Sequence, residues 1–196
     1  MVPLHGLVLA GGASRRMGRD KGTLEYRGEP RVLSAFRLLA ETCERAFVSV
    51  DAAKAETPPY SALPTIIDEG RHRGPIAGLE AAWARYPFAA WLLLAVDLPL
   101  VDRELLEELV AARDTTSFAT AFRHADGTPE PLCTIWEPAA REPLLAQLHA
   151  GDASLRRFLE RCGFAEVRPG GSSPKLRSVD DPDSYAEVAA REAESL

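Results

Sequence analysis

The chain has 196 residues, 46% of them hydrophobic and 27% charged, the composition of an ordinary globular protein and not of a disordered one. A chain of this size buries roughly 70% of its extended surface, enough for a core without disulfides or metals. With 23 basic against 29 acidic side chains, the formal net charge is −6. That balance argues against a dedicated binder of nucleic acid or anionic membrane, so an anionic ligand would need a local basic cluster.

Cys43, Cys133 and Cys162 are far apart and never spaced as Cys-x-x-Cys. They read as small buried thiols in a reduced compartment, not as a disulfide framework or zinc site. The start Met1-Val2-Pro3-Leu4-His5 lacks the basic region of a signal peptide. The longest apolar run, Phe88 to Val96, is nine residues, well short of the ~20 a membrane span needs. The expectation is a soluble, cytoplasmic protein.

Short apolar runs alternate with amphipathic stretches, the pattern of α/β layering. Gly6 to Ala10 reads as a buried strand that stops at Gly11-Gly12. Thr23 to Tyr26 is a small extended excursion. Val32 to Cys43 has helical spacing, and Ala46 to Val50 is a strand. Ala52 to Pro64, with its prolines, reads as a surface loop, and Thr65 to Asp68 as a short strand. Pro75 opens a helix through Tyr86, since its missing N–H would be unbonded in a first turn anyway. Trp91 to Val96 is a central strand covered on both faces. Asp102 caps a helix running to Arg113, with Leu105, Leu106, Leu109 and Val110 on one face. Strands near Phe118–Phe122 and Leu132–Trp136 follow, then helices near Ala139–His149 and Ser154–Cys162. Arg168 to Pro174 has loop chemistry, and a last helix spans about Pro182 to Glu192. No repeat or linker interrupts the chain, so one domain over 1–196 is expected.

The densest chemical signal is Leu9-Ala10-Gly11-Gly12 through Lys21, directly after a buried strand. Glycines let backbone amides approach an anion closely. Arg15, Arg16, Arg19 and Lys21 put four cations within seven residues, which suits a polyphosphate. The segment fits neither a P-loop nor a dinucleotide-binding glycine pattern. Ala95-Val96-Asp97-Leu98-Pro99 is a second signal, an apolar strand delivering a carboxylate at its end. Ligands sit at the carboxyl ends of strands in open α/β sheets, and an acid there can hold Mg²⁺ together with phosphate oxygens and water. Asp68 followed by Gly74-Pro75-Ile76-Ala77-Gly78 is a third, an acid and a helix start that could accept a base or phosphate. Thr128-Pro129-Glu130-Pro131-Leu132 reads as a stiff loop before a strand. Asp180-Asp181-Pro182-Asp183 reads as an N-cap and first turn. His5, His72, His124 and His149 form no visible cluster, His72 reads as solvated, and no serine sits in a nucleophile elbow.

The opening segment with Arg16-Met17-Gly18 and Asp20-Lys21 resembles the signature of the MobA-like nucleotidyltransferases, the molybdenum cofactor guanylyltransferase family. Asp68 with Gly74 to Gly78, Val96 to Pro99, Pro129 to Leu132, and a closing strand before Pro182 follow in that family's order. The resemblance implies a single-domain, Rossmann-like, three-layer α/β/α sandwich with a mostly parallel central sheet. It implies transfer of GMP from GTP to the phosphate of molybdopterin, with release of pyrophosphate and with Mg²⁺ as cofactor. Lys21, Asp97 and Arg16 would then be catalytic. Leu9, Ala10, Gly11 and Gly12 would approach the nucleotide through backbone groups, Lys21 would bind its phosphates, Asp68 and Asp51 would contact the nucleoside, and Asp97 would ligate the metal. Thr128 stands where the family often has Arg, and Ser178 to Asp181 depart from its usual closing strand. Both departures lie on the acceptor side. CTP, another phosphorylated acceptor, or a non-catalytic nucleotide-binding domain are the alternatives, and transient contact with cofactor-biosynthesis proteins or molybdoenzymes is compatible with the family role. The chemistry needs no dedicated base: a phosphate nucleophile has a second pKa of about 6 and is already anionic at neutral pH.

Overall fold

The computed structural model describes residues 2–10, 20–26, 28–68, 74–168, 174–179, 181 and 183–188. Its frame is a seven-stranded sheet. Four strands are parallel: β1 (Leu4–Leu9), paired on one side with β4 (Arg45–Val50) and on the other with β6 (Ala90–Ala95), and β5 (Thr65–Ile67) outside β4. Beyond β6 come β8 (Pro129–Trp136), β7 (Ala119–Arg123) and β9 (Ala165–Val167). β8 is antiparallel to both its neighbours, and β9 is parallel to β7. A separate hairpin joins β2 (Glu25–Tyr26) and β3 (Glu29–Pro30), ahead of α1 (Arg31–Thr42).

Side chains alternate across a strand with period two, and both faces of β1 and β6 are apolar. Leu4 and Val8 with Leu92 and Leu94 point to one face. There they meet Val32, Ala35 and Leu39 of α1 and Leu105, Leu106 and Leu109 of α4 (Arg103–Ala111). Leu7, Leu9, Trp91 and Leu93 point to the other. Their partners are Ile76, Leu79 and Trp83 of α3 (Pro75–Arg85), Leu144 of α5 (Arg141–His149) and Phe158 and Leu159 of α6 (Leu155–Cys162). Helix, sheet and helix therefore form three layers around a doubly covered central sheet, the architecture expected. Crossovers β1-α1-β4 and β5-α3-β6 use opposite faces, so the strand order reverses between β1 and β6.

Several expectations are corrected. Ala52 to Pro64 is not plain loop: α2 (Ala52–Ala55) and a 3₁₀ turn at Tyr60–Ala62 fold there, and Tyr60 is buried. Asp51 starts α2 by accepting the Lys54 N–H at 2.9 Å, a local cap that outweighs the turn-rich composition downstream. Pro129 and Pro131 belong to β8 and not to a loop. They are tolerated because β6 pairs only with residues Cys133 to Trp136 of that strand, so the proline end lies beyond β6. β9 was not expected; three residues carry too little pattern to announce a strand. Ser178 and Val179 form no strand. Instead the Val179 N–H donates to the Asp97 carbonyl at 2.7 Å. The last helix is described over 183–188, with Asp181 Oδ1 accepting the Ser184 N–H at 2.8 Å, as a cap should. All three cysteines are free, but only Cys133 is buried. Among the described residues no helix is long and apolar enough to cross a membrane.

α1 lies so close to β1 that a Cβ on Gly6 would sit 2.7 Å from Leu39 Cβ. Gly6→Ala should destabilise the fold by about 1–3 kcal/mol, the usual cost of overpacking. A urea midpoint equal to wild type would show that α1 can slide away freely.

Candidate functional site

The carboxyl ends of β1, β4, β5 and β6 open onto a cleft of about 270 Å³, at the point where the strand order reverses and ligands of open α/β sheets bind. Each strand contributes its last residues: Leu9 and Ala10 from β1, Ser49 from β4, Asp68 after β5, and Asp97 after β6. In strand order β5 and β6 are three positions apart. At ~4.8 Å per strand, Asp68 and Asp97 are separated by roughly 14 Å along the sheet edge. A compact ligand cannot reach both; an extended one such as a nucleotide with its phosphates can.

α3 lies across the near side of this cleft. Gly78 fits because it has no side chain: a Cβ would lie 2.5 Å from Ser49 Oγ and 2.9 Å from Leu9 Cδ2. Gly74 precedes the helix at φ +87°, ψ −172°, a conformation reserved for glycine. It turns the chain so that the first turn of α3, beginning at Pro75, faces the cleft. Amides at a helix start favour negative charge.

Lys21 begins a 3₁₀ turn, Lys21–Thr23, whose cap is Asp20: Asp20 Oδ1 accepts the Gly22 N–H at 3.1 Å. Lys21 Nζ then lies 4.0 Å from Asp97 Oδ2, with both side chains less than a fifth exposed. Separation exceeds a hydrogen bond, so cation and carboxylate face each other as neighbours in the same cleft. The turn carrying Asp97 is fixed twice through its backbone. Val179 N–H bonds the Asp97 carbonyl at 2.7 Å, and Arg31 Nη2 donates to the Leu98 carbonyl at 2.6 Å. Arg31 is 3% exposed, a buried cation at the start of an amphipathic helix. Its role escaped the sequence reading because its partner is 67 residues away.

The structure therefore brings together five of the expected site residues: Leu9, Ala10, Lys21, Asp68 and Asp97. Backbone groups of Leu9 and Ala10 are already occupied. The Leu9 carbonyl accepts from Val96 N–H, the Ala10 N–H donates to the Ser49 carbonyl, and the Ala10 carbonyl accepts from Lys54 Nζ at 3.1 Å. A carbonyl keeps a second lone pair, but these two residues shape the cleft mainly as its apolar wall. Asp51 is exposed, is engaged as the cap of α2, and does not line the cleft. Gly11, Gly12 and Arg16 lie outside the described residues, as do Arg15, Arg19 and His72.

Residues with no site role assigned from sequence complete the surroundings. Glu130 is buried; its Oε1 accepts the Leu132 N–H at 2.8 Å and its Oε2 faces His124 Nε2 at 3.0 Å. Leu132 lines the cleft, so this carboxylate sets the course of β8 beside the site. Asp20 also accepts from Tyr60 Oη at 2.7 Å and pairs with Lys54 Nζ at 3.1 Å. Burial and the hydrogen bond to Asp20 hold the Tyr60 phenol protonated well above its ordinary range. None of these contacts leaves a local sequence signal.

The donor set of the cleft suits one kind of metal. Among the described residues no three or more His, Cys, Asp or Glu side chains gather as a cage, which disfavours a closed structural site. A single carboxylate at the end of β6, beside a cation that would attract phosphate, suits a hard divalent cation that takes few carboxylates and fills its shell with phosphate oxygens and water.

The hydrogen bond to Glu130 raises the His124 pKa above 6.5, against the opposing effect of burial. The protonated pair thus adds stability below pH 6.5 that is lost as pH rises through the raised value. Melting temperatures of wild type and His124→Gln should therefore converge as pH is taken from 5.5 towards 8. A constant gap across that range would show that the ring acts through packing alone.

Comparison with known proteins places this geometry. Residues 6–167 match the MobA-like NTP transferase domain. The chain is 32% identical over 190 residues to the molybdenum cofactor guanylyltransferase of Pseudomonas aeruginosa PAO1, covering 95% of this chain and 94% of that protein. It is 33% identical over 188 residues to the molybdenum cofactor biosynthesis bifunctional protein of Synechocystis, covering 95% of this chain but spanning only 54% of that longer protein. The crystal structure of molybdopterin-guanine dinucleotide biosynthesis protein A from Archaeoglobus fulgidus superposes with a TM-score of 0.81 at 21% identity, over 97% of this chain and 99% of that one.

Proposed function

This chain belongs to the MobA-like NTP transferase family and is a nucleotidyltransferase, and we propose that it transfers GMP from GTP to the phosphate of molybdopterin, acting as one domain over 1–196. The observation that carries the reading is the Lys21 ammonium beside the Asp97 carboxylate, in a cleft at the sheet's carboxyl edge.

An oxygen of the acceptor phosphate forms a bond to the α-phosphorus of GTP. The bond from that phosphorus to the bridging oxygen breaks, and pyrophosphate departs. The acceptor is already anionic near pH 7, with a second pKa of about 6, so no side chain has to remove a proton. What opposes the reaction is the approach of two anions and the charge that grows on the leaving group. Lys21 meets that charge directly, and the N-terminal end of α3 adds the positive end of its dipole. Asp97 would hold Mg²⁺, which when bound supplies charge neutralisation on the phosphates. Asp68 would hold the nucleoside three strands away. Gly78 lets α3 pack directly on Ser49 and Leu9, and the apolar walls at Leu9, Ala10 and Leu132 exclude water around the phosphates.

Purified protein mixed with labelled GTP, CTP or ATP and molybdopterin tests the reading: pyrophosphate release and labelled dinucleotide with GTP are expected. Transfer with CTP alone, or onto a sugar phosphate alone, would replace it.

Two variants probe the roles. Lys21→Ala should weaken GTP binding by about 1.5–3 kcal/mol, the worth of a charge-assisted hydrogen bond, with the thermal melt preserved. Calorimetry showing unchanged affinity would remove Lys21 from the phosphate site. Asp97→Asn keeps the shape but drops the charge. Single-turnover transfer should slow by about 10²-fold, roughly 3 kcal/mol of barrier, while GTP binding falls modestly. Near-normal rates across a Mg²⁺ titration would place the metal elsewhere.

A further inference from the structure

Lys54 does not line the cleft, yet its ammonium touches both ends of the signature segment. Nζ donates to the Ala10 carbonyl at 3.1 Å and pairs with Asp20 Oδ1 at 3.1 Å. Ala10 is the last residue before 11–19 and Asp20 the first after it. One cation thus bridges the two strands of chain that enter and leave the glycine- and arginine-rich stretch.

The bridge is built, not incidental. Tyr60, 1% exposed, donates its hydroxyl to the other carboxylate oxygen, Asp20 Oδ2, at 2.7 Å. The Lys54 ammonium stands 5.7 Å from the Tyr60 ring centroid, within cation–π range. Gly22 packs against the same tyrosine so closely that a Cβ would lie 2.2 Å from Tyr60 Oη. Asp20 in turn caps the 3₁₀ turn that starts at Lys21. The Lys54 ammonium, the Tyr60 phenol and the Gly22 N–H therefore hold the Asp20 carboxylate, next to Lys21, from three sides. The side chains of Lys54 and Asp20 are each about three-quarters buried, so solvent screens their attraction less than at the surface.

We propose that Lys54 is a positioning residue for nucleotide binding: by clamping Ala10 to Asp20 it fixes the turn that starts at Lys21 and aims Lys21 into the cleft. Ordering the turn at Lys21 costs chain entropy, and the charged contact at Asp20 offsets that cost before ligand arrives. The expected consequence is pre-organisation, felt in nucleotide affinity more than in the chemical step. The proposal rests on the transferase reading only for its kinetic half, because the clamp itself is measurable without ligand.

The test uses Lys54→Met, which keeps the stem and removes the charge, with Lys54→Arg as rescue and Tyr60→Phe as a milder cut at the same carboxylate. In ligand-free protein, hydrogen exchange at the amides of Gly22, Thr23 and Leu24 should quicken about ten-fold in Lys54→Met. KM for the nucleoside triphosphate that wild type uses should rise about ten-fold while kcat changes less, and Arg should recover most of the loss. In an Asp20→Asn background, Lys54→Met should add little, since the pair acts as a unit. A raised KM with unchanged exchange would mean that Lys54 meets the ligand itself, and would overturn the proposal. Faster exchange with wild-type KM would equally overturn it, by separating the clamp from binding. If wild type turns over no nucleoside triphosphate, the transferase reading fails; unchanged exchange in both Lys54→Met and Tyr60→Phe would then sink the clamp as well, and faster exchange would sustain it.

Discussion

Strand β1 is enclosed on both edges by β4 and β6 and on both faces by apolar helices. A strand so enclosed spends its backbone groups on ladders along its whole length. Only at its carboxyl end, where α1 and α3 depart to opposite faces, does the packing open. The cleft is that opening, and among the described residues the charged groups that line it lie beyond the ends of strands. Apolar burial thus decides where polar chemistry can occur before any particular polar residue is chosen.

An acid at the end of a strand is useful only if its direction is fixed. Asp97 gains this from residues remote in sequence: Arg31 in α1 holds the following carbonyl and Val179, near the C-terminal end, holds its own. Arg31 also donates to Ser34 Oγ at 3.0 Å, so one end of the buried guanidinium is held locally while the other reaches across to the site. The C-terminal segment that supplies Val179 packs with Leu24 and Tyr26 of the hairpin, with Val188 and Tyr185 close by. This small satellite core couples the hairpin after Lys21 to the turn after β6.

The far half of the sheet solves a different problem. β8 runs against its neighbours, which lets it return from β7 by a tight turn at Gly127, φ +88°, without a helical crossover. Its outer end, freed from β6, accommodates Pro129 and Pro131 and carries Leu132 to the rim of the cleft. The same architecture in a chain only 21% identical shows how loosely the layer packing constrains individual side chains.

What the sequence determined by itself was whatever is encoded at short range. The doubly apolar runs of β1 and β6, the helix cap at Asp102, the proline start of α3 and the glycine-rich segment ending at Lys21 were all legible, because period and cap chemistry depend on a few adjacent residues. So were Asp68 and Asp97, each an acid where an apolar run stops. Tertiary structure alone decided the rest. Ala52 to Pro64 looked like a loop because the groups that the Lys54 and Tyr60 side chains hydrogen-bond are distant in sequence, 44 and 40 residues away. Arg31, Val179, and the pairing of His124 with a buried Glu130 were hidden or left unread for related reasons, and the exposed cap role of Asp51 became visible only once α2 had formed. Burial and strand order, which no local window contains, turn scattered polar residues into neighbours, and the cost of leaving a buried charge unpaired is what holds them there.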